Sequence, residues 1–590
     1  MRDSPTSINA PFLDINVRTD TSSKRIRLFL VVSVAVISTV LILFLYKGQE
    51  EVVPMSDIYL NEHILVHAAS WMQARGINDS KHFVDMPSYM SPNSLLQLWN
   101  NLNLKHSQIV YDFFESNFLD PATDIHTIRV DDWSEEPDIL ENIENQSQNK
   151  TFNHINQLWK TMTKVFRQEY MGKSLQTFSH INLPYPFVVP GGRFREFYYW
   201  DSLWILSGLL VSDMHQTSFG MLRNMATLIN KYGFVPNGAR TYYTDRSQPP
   251  VFGLMLKTFV RYPGVQEFLE TEHCKQVFKL ELLPALAKEI EFFYLQRMKD
   301  GMLRYSTSSD RPRPESYKED LKILNEGGSM KSIRATAESG WDFSARWMSI
   351  ECLENPSHER CTTFALRTDD IAPVELHAFF LADVLAMKEM QQLFTNDEDD
   401  GANVLYDEHL EFVQRALNTM FDSDVGLWFD GRKDHGRVVT PAAVSPLFVA
   451  SYFPDVEYCQ HMISNTTVEQ LNASLDSFMS QPGGIPASML KETGQQWDFP
   501  NVWAPLVDMT YRAFKALNAT DEAESIKAKY MAMVEDSVEK YDTIYEKYDC
   551  ENLGEPGGAG EYNVVTGFGW TNGLYCKFLY ETVFEKDWIK

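Results

Sequence analysis

The chain has 590 residues, 44% hydrophobic, 23% charged and 13% aromatic, an ordinary globular balance that leans towards rings. Eighty acidic residues against 53 basic ones leave a formal charge of −27, and no basic stripe offsets it. Such a surface repels phosphate backbones and argues against a nucleic-acid partner, while leaving a neutral substrate open.

In chain order, residues 1–27 form a polar tail. The next stretch, Leu28 to Tyr46 (LFLVVSVAVISTVLILFLY), carries no charge. At 1.5 Å per residue it makes a helix of about 28 Å, close to the thickness of a bilayer core. Lys24, Arg25 and Arg27 precede it, and Glu50 and Glu51 follow it. The positive-inside rule then puts the N-terminus in the cytoplasm and the rest outside, as in a single-pass type II protein held by an uncleaved signal-anchor. The alternative is secretion after signal cleavage. Against it stand the length of the run, the long polar lead and the lack of a small-x-small site after Tyr46.

Residues 47–59 read as a stalk, and 60–585 as one large domain, since no linker or low-complexity block divides it. Outside topology agrees with six N-x-S/T sequons, at Asn78, Asn145, Asn149, Asn465, Asn472 and Asn518. It agrees also with an even set of cysteines: Cys274, Cys352, Cys361, Cys459, Cys550 and Cys576. Cys352 and Cys361 lie close enough in sequence to bridge a short loop; six buried thiols is the competing reading. With no C-x-x-C and no H-E-x-x-H, a zinc site has no support.

Within the domain the periodicity is helical. In LYDEHLEFVQRALNTMF, Leu410, Val413, Leu417 and Met420 recur at three and four residues, and 277–298, 372–394, 505–517 and 523–541 read likewise. Strict alternation is scarce. The expectation is a mainly α domain with long polar loops containing Gly and Pro, and long loops inside a compact domain tend to be functional.

Five loops stand apart. PGGRFREFYYWDSLW, 190–204, packs six aromatics, two Arg, one Glu and one Asp into fifteen residues. A core wants such rings without charges, and a solvated face wants the charges without the rings. The others are PNGARTYYTDRSQPP (236–250); RPRPESY (311–317) with ESGWDFSARW (338–347); QQWDFPNVWAP (495–505); and YEKYD (545–549) with GEPGGAGEY (554–562) and GFGWTNG (567–573). Between them they set Arg, carboxylates, Asn and Gln beside Trp and Tyr. That mixture suits a sugar, whose C–H face packs on a ring and whose hydroxyls need fixed donors and acceptors. Glycoside hydrolysis asks further for two carboxyls, one holding a proton and one activating water. Asp342, between Trp341 and Phe343, has neighbours suited to the first task; Glu546, Glu561, Asp201, Asp498 and Glu315 are candidates for the second. GEPGGAGE lacks the Lys-Ser/Thr of a phosphate cradle and reads as a mobile lid.

PGGRFREFYYWDSLW and QWDFPNVWAP resemble the two signatures of the trehalases, and the other segments resemble trehalase segments in the family's order. The resemblance spans roughly 60–585. It implies an (α/α)6 barrel and hydrolysis of α,α-trehalose to two glucoses with inversion, without metal or organic cofactor. It implies Asp342 as general acid and Glu546 as general base. It implies a substrate pocket of Arg193, Phe194, Trp200, Asp201, Asn237, Arg246, Ser247, Gln248, Arg313, Glu315, Gly340 and Glu561, with Trp497 stacking on sugar. The chain departs from the pattern at Leu203 (usually Tyr), Val502 (commonly Gly) and Ala559, which interrupts a glycine run. None of these removes the proposed acid or base. Two other readings stay open: a sugar-binding protein that needs neither carboxyl, and a related hydrolase of another α-glucoside. Oligomeric state is not legible.

Overall fold

The computed structural model describes residues 57–588 except 168, 171, 356–360, 396–399, 435, 559 and 561. The polar tail, the expected membrane segment 28–46, most of the stalk, Ala559 and Glu561 therefore lie outside the described residues. Among those described, no helix is long and apolar enough to cross a membrane.

The N-terminal layer consists of α1 (Glu62–Ala74), α2 (Pro92–Asn100) and α3 (Ser107–Asn117). It buries its own aromatic cluster, in which Trp71 stacks on Phe114 at 5.3 Å. Tyr198, Tyr242, Tyr243 and Tyr317 join that cluster from the loops singled out above, so the layer packs on those loops.

Beyond it, helices of two kinds alternate. α4 (Gln146–Met162) shows an apolar stripe at Phe152, Ile155, Trp159 and Met162, spaced by three and four, and Asn145 caps its start. α5 (Asp201–Val211, DSLWILSGLLV) has every residue buried and hence no polar face. The same contrast repeats with α6 (His215–Tyr232) and α7 (Phe252–Arg261), α8 (Leu283–Gln296) and α9 (Val374–Phe394), α10 (Asp400–Met420) and α11 (Ser445–Tyr452), α12 (Glu457–Ser464) and α13 (Ala504–Ala516), and α14 (Thr520–Tyr541) and α15 (Gly569–Phe584). The odd-numbered members from α5 onwards are the more deeply buried. They touch in a closed ring: α5 on α7, α7 on α9, α9 on α11, α11 on α13, α13 on α15, and α15 back on α5. The even-numbered helices pack on this ring. The domain is mainly helical, as the periodicity predicts, and the closed ring is consistent with an α/α toroid. The strands are short. β1 (Ile125–Thr127), β2 (Thr163–Phe166) and β3 (Phe187–Val188) form one antiparallel sheet. β4 (Asn501–Trp503) pairs with β5 (Lys547–Asp549), with Trp503 opposite Lys547.

The ring closes where α5 meets α15, and only glycine permits that approach. A Cβ on Gly573 would lie 1.8 Å from the carbonyl oxygen of Trp204, and one on Gly208 would lie 2.8 Å from Gly573 Cα. Nearby, Lys577 donates to both carboxylate oxygens of Asp508 at 2.7 and 2.8 Å, and Trp204 Nε1 donates to Asp508 at 3.0 Å, tying α15, α13 and α5 together in the core. On the opposite side, Glu289 of α8 accepts from the Tyr199 hydroxyl at 2.9 Å, and that hydroxyl accepts from the amides of Val251 and Phe252. This fixes the residue before Trp200.

Cys352 and Cys361 form the expected disulfide, with Cα atoms 5.3 Å apart. The other four cysteines are buried thiols. Of the sequon asparagines, Asn78, Asn145, Asn465 and Asn518 are exposed, and Asn149 and Asn472 are half-buried.

Gly573→Ala is expected to destabilise the domain by about 3 kcal/mol, because backbone and not a flexible side chain meets the new methyl; an unchanged thermal midpoint would refute this packing. Burial pushes the Glu289 carboxyl up to about 8. An acid raised on folding stabilises below its unfolded value and loses that contribution as pH rises through the folded one. Wild-type stability should therefore fall relative to Glu289→Gln between about pH 4.5 and 8. Thermal unfolding of both proteins across that range measures the difference.

Candidate active site

All five loops, the start of α5 and the turn before β5 included, line one cavity. Arg193, Phe194, Trp200, Asp201, Asn237, Arg246, Gln248, Arg313, Glu315, Gly340, Asp342, Trp497 and Glu546 all line it. Residues from 193 to 546 are thus brought together.

The first loop is anchored to the N-terminal layer. Arg193 donates from Nε and Nη2 to the two oxygens of Asp79, at 3.0 and 2.7 Å, and lies over the rings of Phe194 and Tyr562. Burial pushes the Asp79 carboxyl up, but the Arg193 bonds outweigh it and hold it below the ordinary value. Behind this pair, Lys81, Asp85, Glu196, Arg240 and Asp124 form a buried charge network. Lys81 reaches Asp85 at 2.5 Å and Glu196 at 2.9 Å, and Arg240 reaches Asp124 at 2.7 Å and Glu196 at 3.2 Å. Tyr198 bonds Glu196 and, at 2.5 Å, the Tyr243 hydroxyl. The charges that looked out of place beside FYYW are therefore partnered below the pocket.

The second and third loops meet at Arg246. Its Nε donates to Asn237 Oδ1 at 2.9 Å, its Nη2 to Glu315 Oε1 at 2.6 Å, and its guanidinium lies over Tyr243. Gln248 Oε1 accepts from the Trp200 amide at 3.0 Å. Ser247 is placed differently: its hydroxyl donates to the Val235 carbonyl and its amide to Glu338, so its side chain serves the fold and does not line the cavity. Arg313 grips both oxygens of Asp320, at 2.9 and 2.7 Å.

Asp342 follows Gly340, whose φ of +72° favours glycine and where a Cβ would lie 2.7 Å from the Trp200 ring. The Gln496 amide reaches 3.5 Å from Asp342 Oδ2. Asp498, a candidate base on sequence, does not line the cavity. Its carboxylate accepts from Ser344 Oγ, Ser488 Oγ and the Ala345 amide at 2.8–2.9 Å, fastening the loop that carries Asp342 to the loop that carries Trp497. Burial raises the Asp498 carboxyl to about 6. Asp201 does line the cavity, and burial, with Glu546 and Asp342 adding to it, pushes its carboxyl well above the usual range. Glu315 is committed to Arg246. Glu561 lies outside the described residues.

Glu546 is 1% exposed. Its Oε1 accepts from the Tyr562 hydroxyl at 2.8 Å and its Oε2 from Lys547 Nζ at 3.2 Å, while Trp570 Nε1 donates to its backbone carbonyl. Trp497, expected to stack on sugar, is itself stacked on Trp503 (3.9 Å, 4°) and on Trp341 (5.5 Å, 23°). With two indoles engaging its ring, what it has left for a ligand is edge and N–H, and the buried Nε1 has no partner among the described residues. Leu203 and Val502, the two departures that are described, are buried and do not line the cavity.

The sequence reading missed Tyr198, Tyr243, Ser316, Ala337, Trp503, Tyr562, Phe568 and Trp570 in the lining. Tyr562 carried a signal, as the last residue of GEPGGAGEY. The two inner tyrosines sit inside loops already singled out, but nothing local separates a lining ring from a packing one.

The family described as Trehalase matches residues 75–582. The trehalase of Homo sapiens is 34% identical over 569 residues, covering 91% of this chain and 92% of its own. That of Bombyx mori is 31% identical, covering 88% and 90%. Among solved structures, neutral trehalase Nth1 from Saccharomyces cerevisiae superposes with a TM-score of 0.52 at 20% identity, over 69% of this chain and 76% of that one, a likeness of fold. With the match spanning nearly all of the described domain, the chain belongs to the trehalase family and is a glycoside hydrolase acting on trehalose.

Proposed function

We propose that the chain hydrolyses α,α-trehalose to two glucose molecules with inversion, Asp342 acting as general acid and Glu546 as general base. The observation that carries this reading is that these two carboxyls, from segments far apart in sequence, face one cavity lined by arginines and indoles. Trehalose joins two anomeric carbons through one oxygen. Asp342 donates its proton to that oxygen as the bond breaks. Glu546 takes a proton from a water that attacks the opposite face of one ring. The attacked ring leaves as β-glucose and the other as α-glucose.

The remaining lining residues divide by chemistry. Arg193, Asn237, Arg246, Gln248, Arg313 and Glu315 offer fixed donors and acceptors for hydroxyls. Phe194 and Trp200 offer ring surface, and Trp497 its N–H. The shifted pKa of Asp201 fits a neutral carboxyl able to donate to a hydroxyl or accept from one. Gly340 brings backbone close to the ligand, and Glu561 is kept as a further sugar contact on the family resemblance alone. A sugar-binding protein without turnover would need neither carboxyl in the cavity.

The reading extends to location. Residues 28–46 anchor the chain as a single-pass type II membrane protein with the catalytic domain outside or in a lumen, the alternative being secretion after cleavage. Accessible sequon asparagines in the described domain support a glycosylated, outward-facing domain. Alkaline carbonate extraction of the full chain, with N-terminal sequencing, separates anchor from cleaved signal.

Asp342→Asn and Glu546→Gln are each expected to lower kcat on trehalose by about 10³-fold, with circular dichroism unchanged. Near-normal turnover by either variant would remove its assigned role. Proton NMR in the first moments of reaction should show α- and β-glucose in equal amounts; α-glucose alone would rule out inversion. Maltose and sucrose run beside trehalose test the substrate.

A further inference from the structure

The segment YEKYD gave Glu546 a role and left the lysine beside it without one. We propose that Lys547 is a positioning residue for the base: its ammonium, sealed against Glu546 and two aromatic rings, sets the direction in which the Glu546 carboxylate faces the attacking water. The inference rests on Glu546 being the base.

Lys547 is fully buried, which is rare for a lysine unless it is paired. Its Nζ lies 3.2 Å from Glu546 Oε2, 4.8 Å from the centroid of Trp503 and 5.6 Å from that of Tyr562. The backbone fixes where the chain leaves: Lys547 opens β5 and pairs with Trp503 of β4. The glycine-rich segment then covers it. The Gly557 amide donates to the Lys547 carbonyl at 3.0 Å, and a Cβ on Gly557 would meet Lys547 Cγ at 3.0 Å and Asn501 Oδ1 at 2.5 Å. The lysine stem is thus packed from the same segment that supplies Tyr562.

A carboxylate has two oxygens, each with two acceptor directions. Tyr562 occupies one direction on Oε1 and Lys547 one on Oε2. Held at both ends, the group cannot swing, and the remaining acceptor directions stay aimed. A base misplaced by about 1 Å can cost on the order of 100-fold in rate. Without the ammonium, Glu546 would keep only the Tyr562 hydroxyl among its described side-chain donors, beside the carboxyls of Asp201 and Asp342, with which it interacts electrostatically or shares the cavity.

The test uses the full chain. Lys547→Met is expected to lower kcat by on the order of 10- to 100-fold. Because the base acts on water and not on the resting sugar, KM for trehalose and the inhibition constant for glucose should stay within about twofold. Single-turnover assays with excess enzyme compare Glu546→Gln with Lys547→Met/Glu546→Gln, and the second change should add no loss, since the lysine acts through a carboxylate already gone. Should the methionine variant not fold, Lys547→Gln, which keeps a neutral donor, is expected to fall between wild type and Glu546→Gln in kcat. Three results overturn the proposal: wild-type kcat in the Lys547 variants while Glu546→Gln is inactive; an equal loss in both backgrounds; or a loss seen chiefly in glucose binding. Wild-type turnover by Glu546→Gln is a different failure, since it would remove the base assignment itself.

Discussion

The arginines that the loops carry into or behind the cavity are each matched by a carboxylate, several of them from a different segment. Arg193 is held by Asp79, Arg246 by Glu315, Arg313 by Asp320 seven residues on, and Glu546 by the lysine next to it. A charge out of water without a partner costs several kcal/mol, and breaking a buried pair typically costs about 3–5 kcal/mol. Pairing therefore does two things at once: it makes the burial tolerable, and it fixes each loop against its neighbour. The ring of buried helices supplies a rim, and the ion pairs place the loops upon it. The N-terminal layer belongs to this arrangement, since Asp79, Lys81 and Asp85 lie between α1 and α2 and hold the first loop from outside the ring.

The fold class was legible from side-chain spacing, and its closure was not. The stripe through Leu410, Val413, Leu417 and Met420 describes an outer helix, which has a polar side to reveal it. An inner helix such as α5 is buried all round, so its spacing shows burial without direction. That α5 meets α15 depends on Gly208 and Gly573, two small residues far apart in sequence. Likewise the five loops were legible as a group by composition, and thirteen of the residues singled out in them line the cavity. Ser247 shows the limit: beside Arg246 and Gln248 it looks like a third donor, yet its hydroxyl goes to the Val235 carbonyl. Trp497 shows another, for a ring in a polar loop reads as a sugar platform until Trp503 is found stacked on it.

Five carboxylates competed for the role of base on sequence, and their surroundings distinguish four of them. Asp498 is saturated by two hydroxyls and an amide and stands behind the cavity. Glu315 gives Oε1 to Arg246 and serves there as its counter-ion. Asp201 faces the cavity, but burial and two neighbouring carboxyls favour its protonated form. Glu546 differs in having a cation and a phenol, one on each oxygen. The same residue type thus serves as a fastener, a counter-ion and a neutral polar group within one site, and the difference lies in how each is solvated by the protein.

The glycine-rich segment links this distinction to access. It presses on the site at three points: Gly557 over the stem of Lys547, Gly560 against the Gln496 amide that reaches Asp342, and Tyr562 on Glu546 itself. A Cβ at either glycine would displace the end of a side chain, lying 2.5 Å from Asn501 Oδ1 for Gly557 and 2.5 Å from Gln496 Oε1 for Gly560. A segment that touches Glu546 and the neighbours of Glu546 and Asp342 at once is placed to set the alignment of both carboxyls, because its contacts bear on Lys547, Gln496 and Glu546 together.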